Sequence, residues 1–95
     1  MNLKPSVSNP KLNNIIDDLY KGQGGNNQIG NGTTMDAVRN ELVTGNPTNG
    51  RFHTQKLIEY VSALQRRLRA GDLNVHDTEV VNSLIKDALA ALSGN

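Results

Sequence analysis

Residues 57–92, LIEYVSALQRRLRAGDLNVHDTEVVNSLIKDALAAL, carry two apolar stripes at helical spacing, separated by a single glycine. Leu57, Tyr60, Val61, Leu64 and Leu68 recur at the three- and four-residue intervals that place side chains on one helix face. Arg66, Arg67 and Arg69 crowd the last turns before Gly71, where cations meet the negative end of the helix dipole. The second stripe opens with Asn74 as N-cap and Asp77 three residues on. It continues through Val80, Val81, Leu84, Ile85, Ala88, Leu89 and Leu92, the widest apolar face in the chain, and ends at Gly94. Connections as short as this one favour antiparallel neighbours.

Working back toward the N-terminus, Gly45-Asn46-Pro47 is a strong helix stop, and Asn49-Gly50 suits a left-handed turn. Thr33 caps a preceding helix of about three turns, with Asp36 completing an acidic variant of the capping box and Met35, Val38 and Leu42 sharing a face. Residues 22–32, GQGGNNQIGNG, offer little to bury and are expected to form a flexible loop. They lack the Gly-Lys-Ser/Thr ending of a phosphate loop and the strand that precedes one. Asn9 and Pro10 start the first helix, whose buried face is Leu12, Ile15, Ile16, Leu19 and Tyr20. No segment alternates as a strand does. The fold class expected is all-α: a compact bundle of about four helices with a Gly/Asn-rich loop between helices one and two. It forms one domain over residues 1–95, with residues 1–9 as a flexible tail.

Ninety-five residues stock a single core, built mainly from Leu, Ile, Val and Ala because Tyr20, Phe52 and Tyr60 are the only aromatics. The chain contains no cysteine, which removes disulfides, thiolate metal sites and a Cys nucleophile from consideration. No apolar run approaches a bilayer span and the first residues lack a signal-peptide pattern, so no membrane binding and no export signal of its own are expected. The net charge of +1 hides an asymmetry. Residues 39–69 hold Arg39, Arg51, Lys56, Arg66, Arg67 and Arg69 against Glu41 and Glu59, whereas residues from 72 onward hold Asp72, Asp77, Glu79 and Asp87 against Lys86. One electropositive side of the fold, able to attract phosphates, is the expectation.

The residues with most chemistry in the least space are Arg51-Phe52-His53-Thr54-Gln55-Lys56. Metal-independent RNA cleavage needs a group that removes the 2′-hydroxyl proton, one that protonates the leaving oxygen, and cations to stabilise the charged transition state. Histidine is the side chain whose ordinary pKa lies near cellular pH. The candidate catalytic residues are therefore His53 as acid/base with Lys56 and Arg51. Arg39 is a further phosphate ligand, Thr34 and Gln55 are orienting donors, and Arg66 and Arg67 are cations able to follow a nucleic-acid backbone. Each has a plainer reading: His53 as a cap or surface residue, the cations as solvated charges or helix-end neutralisers. Glu41 becomes a general base only if the fold carries it to His53, a surface ion pair being the simpler alternative. His76 is explained by an exposed position. No His or carboxylate cluster has metal-ligand spacing, so no metal and no cofactor are expected. With three aromatics, shape recognition of a folded RNA is favoured over base stacking.

The stretches Pro10–Gln23 (PKLNNIIDDLYKGQ), Ile29–Arg39 (IGNGTTMDAVR), Thr44-Gly45-Asn46-Pro47, Phe52-His53-Thr54-Gln55-Lys56 and Leu84–Leu92 (LIKDALAAL) are similar to segments at the C-termini of large bacterial polymorphic toxins of the Rhs/YD-repeat and haemagglutinin-like, contact-dependent-inhibition types. The resemblance extends over nearly all of the chain from about residue 10 onward. It implies a toxin (effector) module carried on a larger secreted or cell-surface protein. Such a module acts in the cytoplasm of a competing cell, often as a nuclease, and is neutralised by a cognate immunity protein. It assigns no catalytic residue. Two other functional classes stand beside it: a non-enzymatic helical interaction or adaptor module, and, more weakly, a helix-turn-helix DNA reader, which lacks a suitable turn and recognition helix.

Overall fold

The computed structural model describes residues 4–25 and 28–95, and among these the regular structure is four α-helices. They are α1 (Pro10–Leu19), α2 (Thr34–Thr44), α3 (Thr54–Ala70) and α4 (Val75–Leu92). The all-α bundle expected from the apolar stripes is the observed architecture. Helix α4 packs on α3 and α2, and α1 lies on α3. Leu12, Ile16 and Leu19 of α1, Met35 and Val38 of α2, Leu57 and Leu64 of α3, and Val81, Ala88 and Ala91 of α4 are all but inaccessible and form one core.

The caps follow the local rules. Asn9 accepts from the Leu12 N–H at 3.0 Å, Thr33 from the Asp36 N–H at 3.1 Å, and Asn74 from the Asp77 N–H at 2.8 Å, each satisfying a donor that the first turn leaves unpaired.

Two apolar stripes face the core as expected but depart from it at one position each. On α2, Leu42 is 53% exposed and Glu41 takes the inward position. On α4, Leu89 faces outward and Ala91 is buried. The cause on α2 is polar: the buried carboxylate finds partners on the following connector, while Leu42 gains nothing comparable on its own side.

The N-terminal segment is fastened to α4. Asp77, buried in the first turn of that helix, accepts from the Ser8 N–H at 3.1 Å and the Asn9 N–H at 3.0 Å. The Nε2 of exposed His76 lies 2.9 Å from the Ser6 carbonyl, Lys4 pairs with Asp17, and Val7 packs against the core. Of the segment expected to be a tail, residues 1–3 lie outside the described residues, as do residues 26 and 27 of the glycine-rich loop.

That loop closes on itself through glycine. Gly32 has φ +76°, and a Cβ there would lie 2.7 Å from backbone atoms of Gln23. Only a residue without a side chain lets residues 22–23 and 32 pass so closely. No helix among the described residues is long and apolar enough to cross a membrane.

Candidate functional site

The site forms where the connector between α2 and α3 folds back over α2. Asn49 and Gly50 both have positive φ, 51° and 84°, and the Thr48 and Arg51 backbones exchange hydrogen bonds of 2.9 and 3.1 Å around them. This is the tight reversal that an Asn-Gly pair favours. Thr48 is buried. Its hydroxyl donates to the Ala37 carbonyl at 3.2 Å and accepts from the Asn40 amide at 3.3 Å, strapping the connector to α2. The chain then runs through Arg51 and Phe52 to His53, the N-cap residue of α3.

His53 does not cap that helix with its side chain. Its ring turns to Glu41: Nδ1 lies 2.7 Å from Oε2, and the His53 backbone N–H donates to Oε1, also at 2.7 Å. The Glu41 side chain is 2% exposed and that of His53 28%. Burial pushes the Glu41 carboxyl pKa up. The hydrogen bonds it accepts from the backbone and ring of His53, with the nearby Thr48 hydroxyl and the electrostatic attraction of the ring, outweigh that and hold it below the usual value. An ionised carboxylate at Nδ1 favours the tautomer with its proton there and leaves the lone pair on Nε2. Among the described residues Nε2 has no hydrogen-bond partner.

His53 lines an open cleft of about 660 Å³. One wall comes from the glycine-rich loop, the other from Thr48 to His53, with Thr33, Thr34 and Ala37 of the α2 start and Lys56 and Tyr60 of α3 between them. Three cations border it, Lys21, Arg51 and Lys56, against one carboxylate, Asp18. The Lys56 ammonium sits 5.8 Å from the centre of the Tyr60 ring, a cation–π distance. Burial raises the Tyr60 pKa, with Asp18 and Glu59 adding to the effect, so its hydroxyl is a neutral donor at cellular pH.

Four of the residues expected at a site, His53, Lys56, Arg51 and Thr34, therefore share one cleft. The other four do not border it. Arg39 is a structural cation: it donates to Asp36 at 2.9 Å, to the Asp87 side chain, and to the backbone oxygens of Asp87 and Asn95 at 3.1 and 2.7 Å. Burial opposes its charge, and its hydrogen bonds to Asp87 and Asp36 outweigh that, raising its pKa. Arg39 thus ties α2 to α4 and has its donors already engaged.

Gln55 is exposed and reaches Glu59 at 3.4 Å. Arg66 and Arg67 lie at the far end of α3, roughly 15 Å along the helix axis from Lys56 at 1.5 Å per residue. Arg67 there pairs with Asp72 at 3.6 Å. Of the cations between residues 39 and 69, Arg39 and Arg67 are thus paired with carboxylates.

Spacing alone gave Glu41 no preference over Leu42 for the inner face of α2, and Lys21 and Phe52 reach the cleft only through the loops that surround it. Among the described residues no group of three or more His, Asp or Glu side chains is placed to hold a metal ion. No protein-family model, curated protein or solved structure matches the chain.

Proposed function

We propose that the chain is an RNA-cleaving toxin domain of bacterial competition, delivered as part of a larger protein and neutralised by an immunity partner in the cell that makes it. The observation that carries this reading is the Glu41–His53 pair, a carboxylate-oriented imidazole at the edge of a cleft bordered by Lys21, Arg51 and Lys56. The resemblance of the chain to polymorphic-toxin C-termini supports the biological setting.

The chemistry that suits these groups is transesterification. Nε2 of His53 takes the proton of a ribose 2′-hydroxyl, the 2′-oxygen bonds to phosphorus, and the bond from phosphorus to the 5′-oxygen breaks. The 5′-oxygen departs on the side opposite the imidazole and takes its proton from water, and the imidazolium, held by Glu41, releases its proton to solvent. The products are a 2′,3′-cyclic phosphate and a free 5′-hydroxyl. Arg51 and Lys56 stabilise the extra negative charge that builds on the phosphoryl oxygens. Glu41 is a positioning residue, because it acts through the imidazole.

The test is induced expression in bacteria of the wild type and of His53→Ala, with total RNA analysed after induction and the purified proteins assayed on RNA. The expected result is growth arrest with RNA fragments ending in cyclic phosphate for the wild type, and at least a 100-fold loss of cleavage for the variant, the usual range for removing an acid/base group. Normal growth with confirmed soluble expression, and no cleavage in vitro, would leave the second reading. That is a non-enzymatic interaction module, favoured by the outward-facing Leu42 and Val43 near the end of α2, Val43 being 87% exposed.

A further inference from the structure

Of the three aromatic side chains in the chain, two, Phe52 and Tyr60, border the cleft beside His53. They are not equivalent. The Tyr60 ring is partly covered and carries the Lys56 ammonium over it at 5.8 Å. Phe52 is 62% exposed, although a large apolar ring normally gains by leaving water. It belongs to the short stretch between the Thr48–Arg51 reversal and the start of α3, flanked by Arg51 and His53. A guanidinium, an open aromatic face and an imidazole therefore occupy three successive residues at the rim of the cleft.

Each of these groups suits one part of a nucleotide: the ring a base, the cations a phosphate, and the imidazole a ribose hydroxyl. Base stacking on an aromatic face needs an unpaired, unstacked base, which a duplex does not present. A cleft of about 660 Å³ also falls in the range that holds a small ligand and is too small to enclose a helical duplex.

We infer that the cleft takes single-stranded RNA and that Phe52 is the platform on which the base beside the scissile phosphate stacks. This rests on the ribonuclease reading above. It reverses the expectation of a folded RNA read by shape, because the fold concentrates two of the few aromatics at one site. Stacking contributes affinity with little choice among bases, so the preference is for unpaired RNA over any one sequence.

The experiment uses the purified full chain and two readouts. The first is steady-state cleavage of a single-stranded RNA and of the same strand annealed to its complement, by the wild type and by Phe52→Ala, Phe52→Leu and Phe52→Trp. The second is equilibrium binding of a fluorescein-labelled 2′-O-methyl hexanucleotide, which lacks the attacking hydroxyl. Thermal melting establishes that each variant is folded.

The expected result is that the duplex is a poor substrate. Phe52→Ala weakens hexanucleotide binding and raises KM by roughly tenfold or more, the size of one lost base–aromatic stack, with kcat nearly unchanged. Phe52→Trp retains wild-type binding, and Phe52→Leu behaves like Phe52→Ala. Equal cleavage of single strand and duplex, an unchanged KM in a folded Phe52→Ala protein, or full function with leucine overturns the inference while leaving the ribonuclease reading in place. A wild-type protein that neither binds the hexanucleotide nor cleaves RNA removes both.

Discussion

The Glu41 carboxylate grips His53 twice, through the backbone N–H and through ring Nδ1, each at 2.7 Å. One bond fixes where α3 begins relative to α2, and the other fixes the ring that begins it. The same pair thus joins stability to the geometry of the cleft, and changes at Glu41 should appear in both.

Glu41→Gln keeps the shape of the side chain and removes its charge. We predict a stability loss of about 1–3 kcal/mol, the cost of weakening a buried charge-assisted hydrogen-bonded group. RNA cleavage should fall by about tenfold or more, less than for His53→Ala, since the imidazole remains but its proton position is no longer enforced. Urea denaturation and single-turnover cleavage measure the two effects. A variant with wild-type rate would remove Glu41 from the mechanism.

The lowered pKa of Glu41 sets the sign of a pH dependence. A carboxyl that binds its proton less tightly when folded stabilises the fold fully above its unfolded value of 4.5, and that contribution is lost as the pH falls through the folded value. The urea midpoint of the wild type should decline on acidification below about pH 4.5 more steeply than that of Glu41→Gln. Parallel declines in the two proteins would contradict the assignment.

Arg39 and Lys56 should separate cleanly. Arg39→Met breaks the contacts joining α2 to Asp87 and Asn95 and should cost about 1–3 kcal/mol while leaving kcat/KM for RNA near the wild-type value at a temperature where the variant is folded. Lys56→Met should leave the melting temperature nearly unchanged and lower kcat/KM by about tenfold or more. The reverse pattern would place the phosphate contact on the other side of the molecule.

Asp77→Ala removes the acceptor for two backbone donors, Ser8 and Asn9, at the entry to α1. We expect a loss of about 1–3 kcal/mol and faster amide exchange at Ser8 and Asn9 than in the wild type, with α4 itself retained. Unchanged exchange at those two amides would show that the segment is held by other contacts.

Gly32→Ala should destabilise the loop wall of the cleft, because the added methyl meets the Gln23 backbone and the residue keeps a positive φ. A melting temperature equal to the wild type would contradict the close approach described above.

Much of the fold was legible in the sequence. The three caps Asn9, Thr33 and Asn74, the stops at Gly45 and Gly71, and the Asn49-Gly50 reversal are local, each decided by residues within a few positions of one another. Of the site, the segment from Arg51 to Lys56 was legible too, because its chemistry is contiguous. The departures from local pattern are of another kind. Leu42 and Leu89 fit the expected stripes by spacing, yet α2 and α4 bury Glu41 and Ala91 and leave those two leucines exposed. The charge of Arg39 suits a phosphate, but Asp36 and Asp87 accept from its guanidinium.

Local patterns in the chain are enough to specify four helices, the side-chain caps that open three of them, and an imidazole among cations just before the third. They can do so because caps, turns and apolar periodicity act over one or two helical turns. Helix packing is what turns Glu41 inward to hold that imidazole, brings Lys21 and Phe52 to it from separate segments, and engages Arg39 with α4. Those outcomes depend on which neighbour compensates a charge removed from water, and the neighbours are set by how the helices pack.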